Sequence, residues 1–214
     1  MNKYFIDSLV LIAISLLNKL ILPPKIAPRQ VAIIKASSGD AIDKQALEIN
    51  QKLLEHNISS YIDSSDKSFG FKLAEAEVNG IPVRIELGKR DYENQVITIS
   101  RRDTLEKKQI KVDEDIVKYI TDLMDDIQNN LYNRAKERRD SMTYYAKTLD
   151  EIRKIMDTQP GFIYAPWCGD EACELKMKEI KGLKSRCITE DNEDEVCPVC
   201  GKKSKHIVVW GIQY

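Results

Sequence analysis

The residues best placed for chemistry are four cysteines near the C-terminus. The 214-residue chain carries five in all. Cys168 and Cys173 enclose Gly169-Asp170-Glu171-Ala172, and Cys197 and Cys200 enclose Pro198-Val199, with Gly201 following. Thiolates bind Zn²⁺ strongly, and a Cys-x2-Cys turn lets both sulfurs reach one ion while backbone amides approach them. Two close pairs a couple of dozen residues apart suit one tetrahedral ion better than unrelated thiols. Four thiolates fill the shell and leave no open position, so the zinc expected here is structural, not catalytic. Cys187, within Arg186-Cys187-Ile188, reads as a core residue of a strand. His206 precedes the apolar run Ile207-Val208-Val209-Trp210 and reads as a strand residue, not a ligand.

Other chemistries fail on context. A zinc deaminase needs His-x-Glu ahead of Pro-Cys-x-x-Cys, and neither of the two histidines opens a His-x-Glu. A thioredoxin-like pair should open a helix after a strand, whereas turn-like Gly201-Lys202-Lys203-Ser204 follows Cys200. No P-loop pattern occurs.

The 33 basic residues are matched by 34 acidic ones, so no global field draws a polyanion. Any nucleic-acid site must be a local patch. Arg84, Lys89, Arg90, Arg101, Arg102, Lys107, Lys108 and Lys111 crowd a stretch poorer in acids, and on adjacent strands they could form one face for phosphates and base edges. Charge alone favours a solvated sheet face, because the chain is not basic overall. The apolar stretch Ser8 to Leu17 is shorter than the roughly 20 residues of a membrane-spanning helix, so no membrane partner is expected. An odd number of cysteines with Cys-x2-Cys spacing points to a reducing compartment, the cytoplasm.

The elements follow from periodicity. Leu22-Pro23-Pro24-Lys25-Ile26-Ala27-Pro28 is a stiff, extended segment, since its prolines forbid a helix. Val31 to Ile34 reads as a strand buried on both faces. Asp40 is the expected N-cap of a helix that buries Ile42, Ala46, Ile49 and Leu53 and ends at Asn57. A strand over Ile58 to Ser64 and a helix over Phe69 to Val78, stopped by Asn79-Gly80, come next. Val83 to Leu87 alternates, giving a strand with one polar face. Gln95 to Arg101 and Lys107 to Val112 are further strands. This order specifies an α/β fold with a mixed five-stranded sheet. A long helix from Asp115 carries Ile116, Ile120, Leu123, Ile127 and Leu131 on one face. Arg134 to Asp140 reads as a solvated connector, and Thr148-Leu149-Asp150-Glu151 is a capping box that opens another helix. The expected division is an apolar N-terminal segment over 1–21, a first domain over 22–140 and a small α/β zinc-type domain over 141–214.

Gly80-Ile81-Pro82-Val83-Arg84-Ile85-Glu86-Leu87-Gly88-Lys89-Arg90-Asp91 resembles the signature segment of the anticodon-binding domain of the class II prolyl-tRNA synthetases. Leu22 to Pro28 resembles the lead-in to that domain. Arg101-Arg102-Asp103-Thr104-Leu105-Glu106-Lys107 is similar to a further family segment, with Leu105 where the family usually has Gly. The cysteine cluster and Tyr214 resemble the C-terminal domain of the archaeal and eukaryotic-type enzymes. The resemblance implies an anticodon-binding fold followed by a zinc domain. By position it assigns anticodon reading to Glu77, Arg84, Arg90 and Lys107, and docking toward the catalytic domain to Tyr214. It implies proline tRNA and the enzyme's catalytic domain as partners, with homodimers usual in the family. ATP and Mg²⁺ belong to that catalytic domain, which residues 1–21 do not resemble, so the chain is expected to bind tRNA and catalyse nothing alone. The rival expectation is a zinc-stabilised structural or protein-interaction module whose basic face is merely solvated.

Overall fold

The computed structural model describes residues 20–180 and 182–212. The apolar N-terminal segment and Tyr214 lie outside them. The chain divides into two compact units between Asn133 and Arg134.

The first unit holds β1 (Val31–Lys35), α1 (Asp40–Glu55), β2 (Ser60–Ile62), α2 (Phe69–Val78), β3 (Val83–Leu87), α3 (Lys89–Glu93), β4 (Val96–Arg101) and β5 (Lys107–Lys111). α4 (Ile116–Ser141) begins in it and runs past its boundary. The sheet order is β2-β1-β3-β4-β5. β1 pairs in parallel with β2 and β3, and β3, β4 and β5 run antiparallel in turn. The expected mixed five-stranded sheet is therefore present.

Strand side chains alternate between faces, and here each face has its own core. Val31, Ile33, Val83, Ile85, Leu87, Ile97, Ile99 and Ile110 pack against Ile42, Ala46, Ile49 and Leu53 of α1 and Ile116, Ile120, Met124 and Ile127 of α4. On the other face Ala32 and Ile34 pack against Ala76 of α2, with Phe69 and Leu73 beside them. Each fully buried aliphatic side chain contributes about 1.5–3 kcal/mol. The helices α1 and α4 thus cover one face, while α2 shields the other at β1, and this asymmetry positions the polar site.

Local chemistry fixes the helix ends. α1 starts one residue earlier than its expected cap: Gly39 is the N-cap and Asp40 the first helical residue. Its carboxylate serves the helix dipole there instead of the cap hydrogen bond. At the other end Asn57 adopts φ 60°, with Asn57 N–H on Leu54 O (3.0 Å) and Ile58 N–H on Leu53 O (2.9 Å), a Schellman closure. β2 is shorter than expected because this closure consumes Ile58. The proline segment is not extended throughout. Ile26 N–H bonds Pro23 O at 3.0 Å, a turn with Pro24 at the position proline favours.

The second unit contains β6 (Thr143–Tyr145), α5 (Leu149–Thr158), β7 (Phe162–Trp167), α6 (Glu171–Lys178), β8 (Leu183–Asp191) and β9 (His206–Ile212). The sheet order is β6-β7-β9-β8, parallel between β6 and β7 and antiparallel elsewhere. Ala146, Ile152, Ile163, Ala165, Met177, Leu183, Val208 and Trp210 form its core. The capping box is in place: Thr148 Oγ1 accepts from Glu151 N–H (3.2 Å) and Glu151 Oε2 from Thr148 N–H (3.2 Å). Arg134 to Ser141 is helical, as the exposed end of α4.

Cys187 departs from expectation. It is exposed, not core. β8 is an edge strand with register shifts between Ser185 and Cys187 and between Ile188 and Glu190, and an extra residue reverses which side chains face inward.

Candidate nucleic-acid face and metal centre

Each unit presents one cluster of polar or thiol side chains. In the first, Arg84 and Glu86 share the face of β3 opposite the large core, because they sit two residues apart on one strand. Both are buried. The expected polar face is there, but α2 overlies it. An Arg84 guanidinium nitrogen donates to Glu77 Oε1 of α2 (2.7 Å) and to Leu73 O (3.2 Å), and Arg84 lies 3.8 Å from Glu86. The cross-strand register Arg84–Ser100–Lys107 extends the chain of contacts. Glu86 accepts from Ser100 Oγ (2.8 Å) and from Lys107 Nζ (2.7 Å). Further along, Asp91 of α3 accepts from Thr98 Oγ1 (3.3 Å) and Gln109 Nε2 (3.2 Å).

The structure thus joins Glu77, Arg84 and Lys107 through Glu86. Arg90 stands exposed on α3, and its side chain forms no hydrogen bond or ion pair among the described residues. Glu86 and Ser100 were missed as members. Parity along β3 signalled Glu86, two residues from Arg84, whereas Ser100 joins them only through the β3–β4 register.

The basic stretch does not form one face. Arg101 has the opposite parity and pairs with Asp103 (2.8 Å) and with Asp126 of α4 (2.6 Å). The Asp103 hydrogen bond, working against burial, raises its pKa, and Asp126 adds to that. Lys108 lies over the Tyr119 ring, 5.5 Å from its centroid. Arg102 is buried, and burial lowers its pKa, against the pull of Glu77 and with the push of Arg84. Leu105 occupies the turn before Lys107 at φ 63°, a left-handed conformation that favours glycine.

In the second unit the four sulfurs of Cys168, Cys173, Cys197 and Cys200 all lie within 4.8 Å of one another. Cys200 and Cys168 are 3.7 Å apart, and all five cysteines are free thiols. Cys168 follows the end of β7. Cys173 sits in the first turn of α6, whose cap is Asp170, accepting from Ala172 N–H at 2.9 Å. Cys197 and Cys200 belong to a tight knuckle, closed by Gly201 N–H on Cys197 O (2.9 Å) and Cys197 N–H on Lys202 O (2.8 Å), with Gly201 at φ 70°. Burial pushes the Cys168 and Cys173 thiols up, whereas the Lys202 backbone N–H draws Cys200 down to about 7. Convergent thiols with an amide aimed at one sulfur make a fit for a tetrahedral metal ion. His206 lies elsewhere, with Nδ1 2.7 Å from Asp191 Oδ1.

Residues 30–123 match the family model of the anticodon binding domain, and residues 149–214 match that of the prolyl-tRNA synthetase C-terminal domain. The chain is 46% identical over 196 residues to the proline–tRNA ligase of Clostridium novyi (strain NT), an alignment covering 90% of this chain and 41% of the relative. The chain carries the anticodon binding domain and the C-terminal domain of the prolyl-tRNA synthetases. A second relative, proline–tRNA ligase 2 of Bacillus thuringiensis subsp. konkukian (strain 97-27), is 40% identical over 200 residues, which is 92% of this chain and 42% of that protein. The crystal structure of prolyl-tRNA synthetase from Cryptosporidium parvum complexed with L-proline and AMP superposes with a TM-score of 0.84 at 30% identity, covering 92% of this chain and 43% of that one. The chain spans about two fifths of the length of the curated relatives it matches. Within the prolyl-tRNA synthetase frame, the Arg84 cluster lies in the anticodon-binding domain and the thiol cluster in the C-terminal domain. Among the described residues no helix is long and apolar enough to cross a membrane.

Proposed function

We propose that the chain is the tRNA-recognition portion of a proline–tRNA ligase, reading the anticodon of proline tRNA with Glu77, Arg84, Arg90 and Lys107. The observation that carries this reading is the linked Glu77–Arg84–Glu86–Lys107 arrangement on one sheet face. Arginine can bind guanine O6 and N7 with two parallel hydrogen bonds, and a carboxylate accepts from base amino groups. Unpaired loop bases expose those edges. Internal ion pairs hold the side chains oriented before RNA arrives, which lowers the ordering cost of binding.

In this reading the domains run over 22–140 and 141–214, and the metal is a structural Zn²⁺. A tetrahedron with Zn–S of about 2.3 Å has S–S edges of about 3.8 Å, and the 3.7 Å separation of Cys168 and Cys200 supports that fit. ATP, Mg²⁺ and proline belong to the catalytic domain of the whole ligase, the partner with which this portion works in the cytoplasm. Reduced thiols are available to metal there.

The test compares binding of proline tRNA with an anticodon-swapped control. Preference for the cognate tRNA is expected, and Arg84→Ala should cost about 1–3 kcal/mol and relax that preference. Equal affinity for both tRNAs would leave a zinc-stabilised interaction module instead. The chain alone is expected to show no aminoacylation, and measurable proline transfer would refute that clause.

A further inference from the structure

Arg102 is the one buried member of the basic stretch that the proposed anticodon reading leaves without a role, and it has no ion-pair partner among the described residues. It sits in the turn after β4, where its backbone N–H bonds Pro82 O at 2.9 Å beside the start of β3. It is only 5% exposed, and its Nε has no hydrogen-bond partner. It forms no ion pair among the described residues. Its charged neighbours are Glu77 and Arg84. Glu77 already accepts from Arg84 at 2.7 Å, and Glu86 already serves Ser100 and Lys107.

Among the described residues, Arg102 thus adds a third cation beside the linked Arg84 and Lys107, which already share the carboxylates of Glu77 and Glu86. A buried cation without a full complement of acceptors destabilises the fold that contains it. An apolar side chain of similar size would serve folding better there. Arg84 Nε is also buried without a partner, so two guanidinium groups on one side of the sheet retain unused donors.

We propose that Arg102, beside Arg84, completes an acceptor-binding site that takes an oxygen or nitrogen acceptor from an unpaired anticodon-loop nucleotide. The acceptor is either the O6/N7 edge of a guanine or a loop phosphate. Both are acceptor-rich and suit paired arginines. This rests on the tRNA-recognition reading above and adds a contact residue to it.

The test measures melting temperature and tRNA affinity of the 214-residue chain carrying Arg102→Met, with proline tRNA and the anticodon-swapped control at several salt concentrations. The expected result is an unchanged or raised melting temperature with at least about tenfold weaker binding of proline tRNA. A loss confined to the cognate tRNA identifies a base edge. A loss on both tRNAs, with the salt slope shallower by about one, identifies a phosphate. Wild-type affinity overturns the proposal. So does weaker binding together with a lowered melting temperature, which would make Arg102 a structural support. Where the methionine variant does not accumulate, Arg102→Gln removes the charge but keeps a polar amide, and wild-type affinity in that variant overturns the proposal equally. A wild-type chain with no anticodon preference sinks the broader reading, while Arg102 is still judged on the phosphate arm.

Discussion

At the scale of single residues, two side chains around the turn before Lys107 set opposing demands. Leu105 sits at φ 63° and is 49% exposed. An L-residue held in the left-handed region costs about 1–2 kcal/mol, and an exposed side chain recovers little of that by packing. Leu105→Gly relieves the strain but enlarges the freedom of the unfolded chain, which offsets about 0.4–1 kcal/mol. A net gain of about 0.5 kcal/mol is expected, read as a higher urea midpoint with unchanged slope. Asp103, two residues earlier, anchors the turn. Its side chain is fully buried and accepts from Arg101 twice at 2.8 Å and from Asn130 at 2.6 Å. Burial opposes its charge, but the bonds from Arg101 and Asn130 prevail and hold the carboxyl below its ordinary 3.8. The stabilisation is therefore present above pH 3.8 and lost as pH falls through the lower folded-state value. Asp103→Asn should cost about 2–3 kcal/mol at neutral pH. The gap between the two proteins should close in unfolding measurements taken toward pH 3, and a gap independent of pH would show that the charge is not the source.

At the scale of elements, the sequence was most informative where a short-range rule decides the outcome. The spacing of Ile42, Ala46, Ile49 and Leu53 marked the buried stripe of α1, and Asn79-Gly80 and the Thr148 capping box marked helix ends, because each depends on residues within a turn or two. Depth was not legible. Alternation in β3 assigned Arg84 and Glu86 to one face, but whether α2 overlies that face is a long-range matter. Nor could spacing separate Arg101 and Lys108 from Arg84 and Lys107, since parity across strands requires the register. Cys187 failed for a related reason: the irregularities in β8 change its facing without any distinctive residue. The β6–β7 pairing shows how little room such registers allow. Phe162 N–H bonds Met142 O at 2.8 Å, and a Cβ on Gly161 would lie 2.1 Å from that same oxygen. Backbone atoms cannot yield as a flexible side chain can. Gly161→Ala is expected to destabilise by about 2 kcal/mol, within the range for overpacking, and to raise amide exchange in β6 and at the start of β7. Wild-type stability would mean that the two strands separate without cost.

At the scale of the whole chain, the two units differ in what holds them together. The main core of the first contains seventeen buried residues, Ile58 from a loop and the rest from two helices and four strands, whereas the main core of the second contains eight. A core that small leaves folding marginal without an added staple. The metal ion proposed above would supply one, because the thiol cluster ties the end of β7, the start of α6 and the β8–β9 knuckle to a common point. Metal binding to such a set is folding free energy, about 10–16 kcal/mol in isolated zinc-finger peptides. Removing the metal should therefore act on residues 134–212 and spare the first core, whose members all precede Asn133. Hydrogen exchange read segment by segment checks this. A strong chelator, or Cys197→Ser, is expected to lower protection in β7 and β9 by at least about a hundredfold while protection in β1 and β3 stays within twofold of its starting value. Because Arg84 and its partners belong to the first unit, tRNA preference should persist in the metal-free chain. Simultaneous loss of protection in both units would show that the metal supports the anticodon-binding domain as well. Unchanged protection in β7 and β9 would show that the small core stands without the clamp.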